Sequence, residues 1–150
     1  MITITINGLD QFVVGRLSRD LTKSLANLYE VKEEEINFVA PNSMVFHDGV
    51  EQTSWHILVT VSAPKKVQVI QKQVADFLIQ SIKDVGIHIE VLFTYFSSDD
   101  HVERINHDYP LFITEENIVN IDEEIDHDED DDELYDGNIF NELEGKVKGK

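Results

Sequence analysis

The chain has 150 residues, 41% of them hydrophobic, a formal net charge of −18 and no cysteine. That length suggests a single domain with an ordinary core, and the lack of cysteine excludes disulfides, thiolate metal sites and a cysteine nucleophile. The charge is uneven: residues 114–150 carry 15 acidic and 3 basic side chains, residues 1–113 carry 15 acidic and 9 basic. Both parts repel a phosphate backbone, so no nucleic-acid partner is expected.

Ile2, Ile4 and Ile6 alternate with Thr3 and Thr5, which predicts a first strand of β-branched residues. Asn7-Gly8 breaks it, and Asp10 is placed to cap a following helix, with Leu9 just outside as a staple. Val14, Leu17, Leu21, Leu25 and Leu28 recur at helical spacing, and the helix is expected to end near Glu30. Ile36 to Ala40 reads as a second strand, stopped by Pro41. A long connection, 41–54, follows, with Met44-Val45-Phe46 as its own apolar group.

The pattern then repeats. Trp55 to Val61 reads as a strand and Pro64 as a first-turn proline. Val67, Ile70, Val74, Leu78 and Ile82 form a second helical stripe, ended by Gly86. Ile87 to Phe96 is the last strand. The order is βαβ followed by βαβ, and a helix between two strands permits parallel neighbours. An α+β fold follows, with a four-stranded mixed sheet and two helices on one face. The covered row holds Ile2, Ile4, Ile6, Ile57, Val59, Val61, Ile89, Val91 and Phe93. The opposite row holds Thr3, Thr5, His56, Leu58, Thr60, His88, Glu90, Leu92 and Thr94. It is too apolar for a freely solvated face, which favours association with another subunit over a plain exposed face.

Residues 114–150 are expected to be an acidic, disordered tail after a domain of residues 1–113. The run Asp126 to Glu133 fails as a calcium loop, having Asp131 and Gly137 where glycine and glutamate are needed. Leu134, Tyr135, Ile139, Phe140 and Leu143, followed by Lys146, Lys148 and Lys150, read as a short docking peptide or a frayed end. No apolar run approaches the roughly 18 residues of a membrane span. The start lacks a basic region followed by an apolar stretch, so no signal peptide and no membrane partner are expected, and the location expected is cytoplasmic.

The segment Phe38-Val39-Ala40-Pro41-Asn42-Ser43-Met44-Val45-Phe46-His47-Asp48-Gly49, with the leucine-bearing helix before it, resembles the corresponding stretch of the tautomerase superfamily around macrophage migration inhibitory factor. There a Val-Val-Pro run precedes a Met-x-Phe-x-Gly turn. The resemblance covers roughly residues 1–100 and points to a bacterial branch. It implies a tautomerase-like βαββαβ fold, a homotrimer, and a small carboxylate or keto-acid ligand. The superfamily uses an N-terminal proline as base or nucleophile. This chain has Ile2 instead, a residue large enough that Met1 is expected to be retained. Lys32 falls near the superfamily's substrate-binding lysine, and its polar aromatic and amide positions fall on Glu90 and Leu92.

A non-catalytic oligomer that binds a small ligand or a protein is therefore the first expectation. The alternative is a keto–enol tautomerase-like enzyme in which the Met1 amine, or the histidine-containing segment after the last strand, replaces the proline. Met1 and Lys32 are its catalytic candidates. Arg16, His47, His56, Glu90, His107 and Tyr109 are the ligand-binding candidates. Arg16 or Lys32 would hold a carboxylate. His56, His88 and Glu90 share a sheet face and suit a transition metal in donor type, but their spacing carries no motif, so no metal and no cofactor are expected. The segment 99–110, with His101, His107 and Tyr109, reads as a polar connection tied down by Tyr109, Leu111 and Phe112, or as a cover for a pocket. Scattered glycines give no phosphate loop, and no serine sits in a nucleophile elbow.

Overall fold

The computed structural model describes residues 1–117. The chain divides into two units, Met1–Ile113 and Thr114–Lys150. Of the second, the described part is a turn in which the Asn117 N–H donates to the Thr114 carbonyl at 3.1 Å. The expectations placed on the acidic run and the apolar segment beyond it lie outside the described residues.

In the first unit β1 is Ile2–Asn7, α1 Gln11–Tyr29 and β2 Ile36–Val39. Two short strands follow, β3 (Phe46–His47) and β4 (Val50–Glu51), then β5 (His56–Pro64), α2 (Gln71–Ile82) and β6 (His88–Phe96). The main sheet runs β2-β1-β5-β6. β1 pairs parallel with β2, antiparallel with β5, and β5 pairs parallel with β6. The tautomerase-like βαββαβ order expected from the sequence is present, with its mixed sheet.

Alternation places the core. Ile2, Ile4, Ile6, Ile57, Val59, Val61 and Ala63 are buried on one face of the sheet. Val14, Leu17 and Leu25 of α1 and Val74, Leu78 and Ile82 of α2 are buried in the same cluster. Each buried isoleucine, leucine or valine among them is worth about 1.5–3 kcal/mol of transfer free energy. The other face carries Leu58 half-buried and Leu92 half-exposed, and no helix of the unit is buried against it. The Asp10 carboxylate accepts from the Phe12 N–H at 2.8 Å, capping α1. At the far end Glu30 turns left-handed, and its N–H donates to the Asn27 carbonyl.

Five expectations need correction. The 41–54 connection is not all loop: β3 and β4 form a hairpin around Asp48 and Gly49, both at positive φ. Pro64 does not open α2. It ends β5 and precedes a 3-10 helix, Lys65–Ile70, before α2 begins. The last strand begins at His88, with Ile87 outside it, and β2 ends at Val39, one residue short of Ala40. Tyr109 and Leu111 do not tie down the segment after β6, since both are exposed. Among the described residues no helix is long and apolar enough to cross a membrane.

Candidate functional site

Register determines which residues meet. The antiparallel pairing of β1 and β5 puts Thr3 opposite Ser62, so Met1 comes beside Pro64. The parallel pairing of β5 and β6 puts Pro64 opposite Phe96. The start of β1 and the ends of β5 and β6 therefore lie at one end of the sheet. A cleft of about 540 Å³ opens there, lined by Met1, Pro64, Lys65, Lys66, Phe96, Ser97, Ser98, His101 and Glu103. That volume is within the usual range for a small-molecule site.

The turn after β6 carries His101 into this cleft. The Ser97 hydroxyl donates to the Asp100 carboxylate at 2.7 Å and the Ser97 N–H to the same oxygen at 3.1 Å. These bonds hold the Asp100 carboxyl below its ordinary range, the hydroxyl bond first and the main-chain bond second. The His101 ring stacks on Phe96 with centroids 5.2 Å apart, and its Nε2 stands 3.9 Å from Glu103. Two lysines, Met1 and a single carboxylate residue, Glu103, thus line the cleft, in a chain that is acidic as a whole. An anion of small size suits that balance.

The opposite end of the sheet holds a second group. His56 and His88 are register partners at the starts of β5 and β6. His56 Nε2 is 3.7 Å from Glu90, and Trp55 meets His88 edge-on at 5.7 Å. Eight residue steps along β5, from His56 to Pro64, separate this group from the Met1 cleft, about 26 Å at the usual rise. Among the described residues no set of three or more His, Cys, Asp or Glu side chains is placed to hold a metal ion.

The remaining sequence candidates are dispersed. Lys32 is exposed at the start of a 3-10 turn, Glu33–Glu35, where its N–H donates to Glu35 at 3.3 Å. Arg16 is exposed on α1, and His47 is exposed in the β3–β4 hairpin. His107 and Tyr109 are exposed in the segment after β6. None of these five lines the Met1 cleft. Of the catalytic and ligand-binding candidates named singly only Met1 does, and from the histidine-containing segment after β6 it is joined by His101. Lys65 and Lys66 were not anticipated. The βαββαβ order contained the clue, because an antiparallel β1–β5 pair must bring the residues after β5 beside the start of β1.

The fold and the position of this cleft define an α+β protein of tautomerase-like architecture. The family described as "Domain of unknown function (DUF1904)" matches residues 1–107, and the chain belongs to that family. A crystal structure of a DUF1904 domain from Sebaldella termitidis ATCC 33386 is similar with a TM-score of 0.62 at 16% identity, covering 69% of this chain and 95% of that one. A macrophage migration inhibitory factor-like protein from Entamoeba histolytica gives 0.54 at 12% identity, covering 69% of this chain and 93% of that one. The macrophage migration inhibitory factor of Toxoplasma gondii gives 0.52 at 12% identity, over 67% and 95%. At such identities the likeness is one of fold. The chain matches no curated protein.

Proposed function

We propose that the protein is a cytoplasmic, non-catalytic oligomer that binds a small carboxylate or keto acid in the cleft at Met1. One observation carries this reading: Met1, Lys65, Lys66 and His101 line one cleft of an acidic chain. The two ammonium groups attract the carboxylate, the Phe96 ring and Pro64 meet its apolar body, and Ser98 offers a hydroxyl to a keto oxygen. Ile2 stands where the resembled superfamily keeps its proline, which supports binding without turnover. Self-association through the open sheet face, as a homotrimer, would cover Leu58 and Leu92.

A second reading has one specific observation in its favour, that Met1 and His101 line the same cleft. In it the Met1 amine takes a proton from the carbon beside a keto group while protonated His101 gives one to the carbonyl oxygen, leaving an enol. Calorimetric titration with pyruvate, followed by deuterium exchange at its methyl group, separates the two. The binding reading predicts saturable heat and exchange no faster than in buffer. Exchange that rises with protein concentration would favour the enzyme, and absence of saturable heat would remove both. Sedimentation equilibrium tests the oligomer: a mass three times 17.2 kDa is expected.

A further inference from the structure

His101 and Glu103 are two positions apart in the segment after β6, and both line the Met1 cleft. His101 is extended, at φ −123° and ψ 117°, and in extended chain residues i and i+2 leave the backbone on the same side. The His101 Nε2 accordingly stands 3.9 Å from the Glu103 carboxylate. The imidazole also lies flat on Phe96, with centroids 5.2 Å apart, which limits its swing. Glu103 is the one acidic side chain lining the cleft. Its charge opposes any carboxylate that enters, and His101 determines how much of that charge is felt.

The other charged groups around His101 come from three elements. Met1, before β1, bears the α-amine, and the 3-10 helix after β5 supplies Lys65 and Lys66. The turn Ser98–Asp100 supplies Asp99 and Asp100. Two bonds from Ser97 hold the Asp100 carboxyl below its ordinary range, so it stays negative. β6 and the residue after it contribute Phe96 and Ser97, neither of them charged. Arg104, between the pair in sequence, does not line the cleft. Carboxylates and lysine ammonium groups as classes keep their charge from pH 5.5 to 7.0, whereas an imidazole changes its own there. An α-amine begins to discharge only above that interval.

We propose that His101 and Glu103 form a pH-sensitive gate on the Met1 cleft, a regulation that rests on the carboxylate-binding reading above. With His101 neutral, Glu103 is unmasked and repels the ligand. With His101 protonated, the imidazolium offsets Glu103, and Lys65 and Lys66 attract the ligand unopposed. Binding is therefore coupled to uptake of part of a proton, and acid strengthens it. The two side chains are 37% and 50% exposed, so solvent screens the pair and the effect is modest.

The test is calorimetric titration of the full chain with pyruvate at pH 5.5 and pH 7.0. Binding should be about two- to threefold tighter at the lower pH, the scale of a partly exposed ion pair. At pH 6.5 the heats in two buffers of different ionisation enthalpy should differ by the uptake of a fraction of a proton. His101→Gln should give one Kd at both pH values. Glu103→Gln should bind about two- to threefold more tightly than the parent at pH 7.0, by removing the unmasked charge. Both positions are exposed, so the fold tolerates both changes. Equal affinity at the two pH values in the parent overturns the proposal. So does a pH dependence retained in His101→Gln, or an unaltered Kd at pH 7.0 in Glu103→Gln. Saturable binding that ignores pH removes the gate alone, whereas no saturable binding at either pH removes the carboxylate site and the gate together.

Discussion

The Ser97 hydroxyl and the Asp100 carboxylate close a single turn at 2.7 Å immediately after β6, and the next residue, His101, lines the Met1 cleft. The short bond is charge-assisted. It fixes the direction of the chain as it leaves the sheet, and so the side on which the imidazole is carried.

Ser97→Ala should raise the Asp100 pKa towards the ordinary carboxylate value, because the largest cause of its depression is lost. A depressed acid supports the folded turn above its unfolded pKa, and that support is lost as pH falls through the folded pKa. In the variant the folded pKa lies nearer the unfolded one, so the loss is smaller and is complete at a higher pH. Carboxyl carbon titration by NMR measures this directly. An unchanged Asp100 midpoint would show that the hydroxyl does not hold the turn.

Tyr29 gives the opposite sign. Burial first, and the neighbouring Tyr95 second, raise its phenol well above the usual tyrosine range. The unfolded chain ionises this group near pH ~10. Stability from the neutral phenol is therefore complete below that pH and declines as pH rises from there towards the folded pKa. Urea unfolding at pH 8 and at pH 10.5 should show a fall that is smaller in Tyr29→Phe. An equal fall in the variant would assign the loss to Tyr95, whose phenol burial also raises, or to other groups.

Two glycines should respond oppositely to alanine. Gly8 has φ +82°, and an added Cβ would stand 2.5 Å from the His56 carbonyl oxygen. Its own carbonyl accepts from the Ser54 N–H at 2.8 Å, which ties β1 to the entry of β5. Gly8→Ala should cost about 1–3 kcal/mol. Gly15 lies in α1 with nothing near its missing Cβ, so Gly15→Ala should add about 0.5–1 kcal/mol. Denaturant midpoints of the pair check both signs.

The parts of this fold that were legible in the sequence are those with an unbroken period. Ile2, Ile4 and Ile6 mark β1 by alternation, and Val74, Leu78 and Ile82 mark α2 by fours, because each side chain enters one continuous core. The β3–β4 hairpin was missed, although Asp48-Gly49 is a strong signal for a two-residue turn. Its strands are two residues long, too short to show alternation. The candidate site was harder still. Lys65 and Lys66 meet Met1 through antiparallel pairing between residues some sixty positions apart, and no local pattern encodes that. The pattern did place His56 and Glu90 on one face correctly, but at the end away from Met1.

Chemical-shift mapping with pyruvate on isotopically labelled protein tests the central claim most directly. The account predicts saturable shifts at Lys65, Ser97, Ser98 and His101, lost in Lys65→Gln, with His56, His88 and Glu90 unmoved. Shifts confined to the His56 end of the sheet, or no saturable shifts, would contradict it.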